Sequence, residues 1–420
     1  MAANTRTAGL NAEAALACHR CDWSGGLSNL YACPACGASL LVTYASTPGR
    51  PSGAGDDDGG GMWRHRGSLP VSAGAEPVTL GEGGTPLLRA GRLQTAGRLL
   101  LKNETANPTA SFKDRPVAVA ATVARELGLT GLVCASTGNT GVAVAAYAAR
   151  AELPAVCVVP EATPPTKLLQ IEAVGTRIVR VGGDYSDAYA LALRAAEDYG
   201  WANLTSTYVN PYMLEGDKTV AYELFEQLGG NAPDWVLVPV GAGPLLSAIY
   251  KGFEELGASG EDGPRMVAVQ AAGCAPIARA FEAGAEEVDA WDRPVETAAS
   301  SIADALRGYP EDGTRTLSVV RRSGGRTVSV SEEETRAAMD DLARSEGLLV
   351  EPGAAVAVAA YERLAVENFI EGGQTVVIVL TGHGLKDPDA LALASPRGVP
   401  APVVEPGDVG ALGEVLEVRG

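Results

Sequence analysis

The sequence lacks any apolar run long enough to span a bilayer. Its most continuous stretches of that kind, residues 141–149 and 353–360, stop well short of the roughly 20 residues a spanning helix needs. No membrane partner is expected. Positive charge is scarce as well: 33 Lys and Arg stand against 51 Asp and Glu, a formal net charge of −18, and only six of the basic residues are Lys. Such a surface repels phosphate backbones and anionic lipid, so nucleic acid is not the expected partner either. Residues 1–17 lack both a basic opening followed by an apolar core and a small-residue cleavage site, which argues against a secretory signal and for a cytoplasmic location. No repeat of fixed period is visible. What is present is material for a core. A chain of 420 residues, 46% hydrophobic and 20% charged, excludes disorder as the main state and suits more than one domain.

Composition divides the chain. Residues 1–45 are dense in cysteine. Residues 46–75 begin with Pro48, Pro51, three Asp and three successive Gly, and read as a flexible linker. In the body, residues 76–394, short β-branched runs alternate with Ala/Leu-rich segments of helical period. Strands are expected at 99–101, 131–134, 155–159, 177–181, 235–238, 266–270 and 376–380, and helices at 117–127, 142–150, 166–173, 186–199, 214–228, 245–256 and 332–345. That alternation predicts an α/β fold of one or two doubly wound parallel sheets, with ligands beyond the carboxyl ends of the strands. The tail, 395–420, is rich in Pro and Gly and ends in an apolar-periodic piece, 409–418, that is expected to dock back on the body.

Four of the seven cysteines form two C-x2-C knuckles, Cys18-His-Arg-Cys21 and Cys33-Pro-Ala-Cys36, eleven residues apart. Two knuckles complete a tetrahedral thiolate site suited to structural Zn²⁺, and a head this small needs metal binding to fold. Two disulfides are the alternative, disfavoured in an intracellular chain. Four thiolates leave no open position for catalysis, so the head is expected to stand outside the active site. Chelation should then loosen it without altering the body. His19 reads as a surface residue, and Cys134, Cys157 and Cys274 as small core residues.

Four loops of the body carry chemistry. Asn107-Pro-Thr-Ala-Ser-Phe-Lys113-Asp-Arg-Pro116 puts Lys113 at a strand-to-helix turn, with Asp114 a candidate cap and Pro116 in the first turn. A desolvated lysine there can form a Schiff base with a carbonyl compound. Ser136-Thr-Gly-Asn-Thr140 and Val240-Gly-Ala-Gly-Pro-Leu245 each precede a helix, where free N–H groups suit a carboxylate and a phosphate respectively. Taken singly, either is equally an ordinary tight turn. The fourth, Leu380-Thr-Gly-His-Gly-Leu-Lys-Asp-Pro388, follows the last strong strand.

In this order the segments resemble the threonine synthase family of fold type II pyridoxal 5′-phosphate (PLP) enzymes. Asn210-Pro-Tyr-Met-Leu-Glu-Gly-Asp-Lys218, Gln270-Ala-Ala-Gly-Cys-Ala-Pro276, Glu351-Pro-Gly-Ala-Ala and the knuckles add to the likeness, which runs from about residue 79 to 389. It implies two doubly wound α/β domains with the cofactor between them, the smaller, about 120–220, inserted in the larger, behind a small zinc ribbon. It also implies a homodimeric lyase acting on a small amino acid. Lys113 would hold PLP and move protons at the substrate carbons. Asn139 would bond the ring oxygen, Gly241, Ala242, Gly243, Pro244 and Leu245 would hold the cofactor phosphate, and Thr381 would face the ring nitrogen. Ser136, Thr137 and Thr140 would hold the substrate. His383 reads as a brace of its turn.

The sequence departs from the family where that family grips the phosphate of O-phosphohomoserine. Met213 stands for an expected Arg, Tyr208 lies near a position that is commonly Ser, and the loop ending at Leu245 has lost its Asn side chains. A related amino acid without the phosphate is therefore favoured. Ser301-Ile-Ala-Asp304 and the loop ending look like threonine or serine ammonia-lyases, which is the alternative. A catalytically dead zinc-ribbon binding module is opposed by the intact Lys113 and Thr381. Smaller departures are Ala110 and Pro116, each for Gly.

Overall fold

A computed structural model describes residues 10–46, 60–93, 96–394, 403–406, 408 and 411. In the head, β1 (Ala14–Cys18), β2 (Ser24–Gly26) and β3 (Leu40–Tyr44) form an antiparallel sheet in the order β2-β1-β3. Leu40 and Val42 share a face of β3, Val42 pairs with Leu16 of β1, and all three are fully buried. That period-two stripe docks the head on the body.

The packed body starts earlier than composition suggests. Residues 60–75, which the glycine- and proline-rich composition assigns to a linker, include a 3-10 helix, Met62–Ser68, and bury Met62, Trp63, Leu69 and Val71. Each such side chain contributes about 1.5–3 kcal/mol on burial, enough to hold a segment that composition makes look loose. Residues 47–59 and nearly all of the apolar-periodic tail piece lie outside the described residues.

Next come β4 (Leu87–Arg89), β5 (Arg98–Asn103), α1 (Asp114–Glu126), β6 (Leu132–Ala135), α2 (Asn139–Ala151), β7 (Ala155–Pro160), α3 (Pro165–Ala173) and β8 (Arg177–Val181). After them stand α4 (Tyr185–Tyr199), β9 (Ala202–Asn203), α5 (Pro211–Asp217), α6 (Thr219–Gln227), β10 (Trp235–Pro239), α7 (Pro244–Glu255) and β11 (Arg265–Ala271). The chain continues through α8 (Pro276–Glu282), α9 (Pro310–Arg322), β12 (Arg326–Val330), α10 (Glu332–Glu346), α11 (Pro352–Val366), β13 (Thr375–Leu380) and α12 (Pro388–Ala394). One sheet has the order β8-β7-β6-β9 and is parallel throughout; the other has the order β12-β11-β10-β13-β5-β4 and is parallel except for β4. The smaller sheet is thus an excursion of the chain between β5 and β10 of the larger one.

Local pattern explains most of these elements. Every residue of β10 is buried, as are five of the six in β13, and both read as nearly continuous apolar runs because helices cover both faces of a parallel sheet. The long helix expected at 214–228 is divided at Lys218 into α5 and α6. Helix α11 is buried all round its first turns, so it shows no polar face from which a period could be read. No helix among the described residues is long and apolar enough to cross a membrane.

Candidate active site

A cavity of about 310 Å³ opens at the carboxyl ends of β5, β10 and β13, which neighbour one another in the large sheet, and of β6 in the small one. Lys113, Ser136, Thr137, Asn139, Thr140, Gly241, Ala242, Gly243, Pro244, Leu245 and Thr381 all line it. Each comes from the turn between a strand and its following helix, or from a strand end.

The Lys113 loop is bent and stitched in place. Ala110 sits at φ 60°, a left-handed conformation that costs an alanine about 1 kcal/mol. Two hydrogen bonds hold it, Ala110 N–H to Asn107 O at 2.8 Å and His383 N–H to Ala110 O at 3.0 Å. Phe112 N–H donates to Thr381 O at 3.0 Å, fastening this loop to the end of β13. Asp114 is the first residue of α1 rather than its cap. Its carboxylate accepts from Thr109 N–H at 3.1 Å and Thr109 Oγ1 at 2.8 Å, closing the loop backwards, because Lys113 already occupies the cap position. Burial pushes the Asp114 carboxyl up to about 6.

Lys113 itself is half-buried, donates to Ser206 Oγ, and stands 4.1 Å over the Phe112 ring. Burial lowers its ammonium to about 8, although Asp217 and Glu351 pull the other way. An amine so placed is neutral often enough near pH 7 to attack a carbonyl or take a proton.

Two helix N-termini face the cavity. No side chain caps α2 at Gly138 or α7 at Gly243, so the first N–H groups of both helices stay available to an anion. Gly243 has φ 99°, and a Cβ there would lie 2.3 Å from Thr316 Oγ1. The loop backbone therefore lies flat on α9, leaving its cavity side as a cradle. Thr316 Oγ1 donates to Ala242 O at 2.6 Å.

Polar groups unassigned from sequence complete the wall. Glu351, buried at the start of α11, accepts from Asn139 Nδ2 with both carboxylate oxygens, at 2.9 and 3.1 Å. A Cβ on Gly382 would stand 2.4 Å from Glu351 Oε1, which explains the glycine after Thr381. Burial raises the Glu351 carboxyl above the usual range, and it does the same to Asp304, whose Oδ1 accepts from Leu306 N–H and the Tyr309 hydroxyl at 2.9 Å each. Lys386 Nζ donates to Thr109 O at 2.7 Å. Ser206, Asp304, Glu351 and Lys386 all line the cavity. Three of them stand in segments singled out above, but their convergence is a tertiary fact.

Other residues fall elsewhere. Met213 is buried in an apolar cluster with α1 and α2 and does not line the cavity. Tyr208 lies behind the α7 loop, its hydroxyl bonding Gly243 O at 3.3 Å, Thr316 Oγ1 at 2.8 Å and Ser247 Oγ. His383 Nδ1 accepts from Leu385 N–H at 3.1 Å and is not part of the lining, so it braces its turn. Cys134, Cys157 and Cys274 are fully buried.

In the head, the four Sγ atoms of Cys18, Cys21, Cys33 and Cys36 lie within 4.8 Å of one another. The Cys18–Cys36 and Cys21–Cys33 separations are 3.5 and 3.7 Å. Disulfide sulfurs would be about 2.05 Å apart. His19 is not a fifth ligand: its Nδ1 meets Ser39 O at 2.9 Å and its Nε2 meets Glu311 of α9 at 3.0 Å.

Comparison with known proteins places this geometry. The family described as "Pyridoxal-phosphate dependent enzyme" matches residues 78–382. The chain is 40% identical over 342 residues to a threonine synthase of Methanocaldococcus jannaschii, covering 80% of this chain and 83% of that one. To a threonine synthase of Mycobacterium tuberculosis it is 38% identical over 345 residues, 81% and 92% of the two chains. Among solved structures, the processed threonine deaminase isoform 2 of Solanum lycopersicum aligns with a TM-score of 0.63 at 24% identity, over 74% of this chain and 87% of that one. An L-serine ammonia-lyase of Rhizomucor miehei aligns with a TM-score of 0.63 at 23%, over 73% and 95%. These last two show a shared fold.

Proposed function

The chain belongs to the pyridoxal-phosphate dependent enzymes, in the threonine synthase family of fold type II lyases, and from that premise we propose that it acts on a small amino acid whose departing group carries no phosphate. The observation that carries this reading is the charge of the cavity wall. Among the described residues, Asp304, Glu351 and Asp387 face only Lys113 and Lys386, and no arginine lines the cavity. With the cradle at the start of α7 taken by the cofactor's phosphate, a second dianionic phosphate would meet more carboxyls than cations and forgo the bidentate grip that an arginine provides. Met213 adds no polar group to the wall, since it lies in the apolar core.

The residues present fit the cofactor. The cradle at Gly241–Leu245 backed by α9, the open terminus of α7 and the lowered Lys113 ammonium, all on one cavity, suit a phosphate and an aldehyde. Lys113 would hold the cofactor covalently. The loop and the first N–H groups of α7 would hold its phosphate, Thr381 would face its ring nitrogen, and the Asn139 amide, oriented by Glu351, its ring oxygen. When bound, PLP supplies an electron sink for negative charge at the substrate's α-carbon. Ser136, Thr137, Thr140 and the open terminus of α2 would orient the substrate carboxylate. Once released by the incoming substrate, the Lys113 amine would take the proton from the α-carbon and return it at the neighbouring carbon, with Ser206 holding the amine in line. Asp304, its carboxyl raised by burial, lines the same cavity and would face the departing group.

The head fits Zn²⁺. A tetrahedral site with Zn–S of about 2.3 Å sets its sulfurs about 3.8 Å apart, close to the separations observed. We assign one structural zinc to Cys18, Cys21, Cys33 and Cys36, and a homodimer as the assembly. The rival reading is threonine formation from O-phosphohomoserine, favoured by 38–40% identity to threonine synthases. Steady-state kcat/KM for O-phosphohomoserine, serine, threonine, homoserine and acylated analogues decides between them. A preference of at least about 100-fold for an unphosphorylated substrate is expected. Efficient turnover of the phosphorylated compound alone, on the order of 10⁴ M⁻¹s⁻¹ or better, would establish the rival.

A further inference from the structure

We propose that the cysteine head is a clamp on the cofactor loop, acting through α9, with Arg315 as the positioning residue that joins the two; this rests on the reading of the cavity and the head given above. The head does not stand apart from the body. Glu311, on the first turn of α9, accepts from His19 Nε2 at 3.0 Å and from Arg20 at 2.5 Å, both within the first knuckle. One turn along, Arg315 donates to Ser39 Oγ at 3.2 Å, just beyond the second knuckle, and Ser39 Oγ meets His19 Nδ1 at 3.2 Å. Both knuckles are therefore tied to one turn of α9.

The same helix grips the cofactor loop from behind. The Arg315 guanidinium lies 4.3 Å over the Tyr208 ring. The Tyr208 hydroxyl bonds Gly243 O and Thr316 Oγ1, and its N–H donates to Asp312 Oδ2 at 3.1 Å. Thr316 completes the chain on Ala242 O, two residues from the N-terminus of α7. Gly243 has no room to retreat, because a side chain there would collide with Thr316. A shift of α9 thus moves the cradle itself.

Further contacts run in parallel. Lys251 of α7 donates to Val42 O at 2.7 Å, the Tyr44 hydroxyl to Glu215 of α5 at 2.6 Å, and Asn203 N–H to the Tyr31 hydroxyl at 3.0 Å. The head holds α5, α7, α9 and β9, and three of these end at or brace the cavity. A folded knuckle is needed to keep His19 and Ser39 in place, so metal binding and cofactor binding share a free energy.

The test uses the full-length protein and reads binding, not turnover. PLP dissociation constants from absorbance titration are compared for zinc-loaded and chelator-treated protein, with zinc per chain measured alongside. Removing zinc should weaken PLP binding about 10-fold, and PLP should protect zinc from the chelator by the same factor, since coupling is reciprocal. Arg315→Met should weaken PLP while keeping its zinc, and should make the further effect of zinc removal clearly smaller than in the parent, the remainder running through Glu311 and the parallel contacts. Glu311→Gln, on a partly exposed residue, should show a smaller loss and serves if Arg315→Met does not fold. Arg344→Gln, which removes an exposed charge on α10, should change nothing. PLP affinity within twofold with and without zinc, in protein that circular dichroism shows folded, overturns the clamp and spares the reading beneath it. Wild-type protein that binds no zinc or no PLP overturns both.

Discussion

Lys113 and Arg115 stand two residues apart and serve opposite purposes. Arg115 is fully buried and all its N–H groups are matched: Glu104 at 2.7 and 2.8 Å, Glu223 at 2.8 Å twice, Thr219 Oγ1 at 3.0 Å and Thr85 Oγ1 at 3.1 Å. Lys102 joins the same cluster through Glu223 at 2.7 Å, Thr85 O at 2.8 Å and Gln227 at 3.1 Å. Two cations and two carboxylates, with every donor satisfied, make a neutral knot that fastens α1 to β5 and α6. The opposed charges hold the Arg115 guanidinium far above its ordinary value and the Glu223 carboxyl far below. Lys113 has one side-chain partner, Ser206, and an ammonium lowered to about 8. Beside it, Asp217 is buried with Oδ1 unbonded and its carboxyl raised to about 8, chiefly by burial. Full satisfaction marks the scaffold and incomplete satisfaction marks the reactive centre, because only a group with unspent bonding capacity can exchange protons or partners.

The sharpest way to break that contrast is to remove the lysine. Lys113→Ala should lower kcat by about 10⁴-fold or more, the scale expected when a group acts both as covalent anchor and as proton carrier. Its thermal midpoint should stay near that of the parent. Residual turnover above a hundredth, or labelling of Lys102 or Lys218 after borohydride reduction with PLP, would move the centre elsewhere. Truncating the arginine should do the reverse. Arg115→Met leaves Glu104 and Glu223 buried without their main partner and should cost about 3–5 kcal/mol of unfolding free energy in denaturant titration. Folded molecules should keep more than a tenth of their activity. A loss confined to kcat would show that the knot belongs to the chemistry.

The third effect is smaller and concerns pH. Lys113 must be neutral to capture the cofactor, and its folded value of about 8 lies below the ordinary lysine value, so the neutral fraction grows as pH rises toward 8. Uptake of PLP by cofactor-free protein, followed by absorbance after mixing, should accelerate about tenfold per unit below pH 8 and level off above it. A profile still climbing at pH 10 would mean that burial does not tune this amine.

Much of this was legible in the chain. The strands at 235–238 and 376–380 are legible to within a residue, since parallel strands buried on both faces leave nearly continuous apolar runs, and the edge strand at 177–181 shows as a short run around Ile178 and Val179. Helix α9 is not legible in the sequence: Glu311, Asp312 and Gly313 open it, and its inner face emerges only from the burial of Asp312, Gly313, Thr316 and Leu317. Helix α11 is hidden because its first turns are apolar on every side and offer no period to detect. The packing of residues 60–75 was hidden by the glycines that precede them.

By itself the sequence determined the alternation of strand and helix, the four turns that carry Lys113, Asn139, Gly243 and Thr381, and the four-cysteine head. Each of those is a local event, decided within about ten residues by a strand end, a helix start or a knuckle spacing. Only the tertiary structure decided that Glu351 meets Asn139, that Arg115 is spent on Glu104 and Glu223 while Lys113 is not, that Met213 belongs to the core, and that His19 and Ser39 reach α9. Those outcomes join segments up to about three hundred residues apart, and hydrogen bonds and charge interactions depend on distances that chain position does not encode.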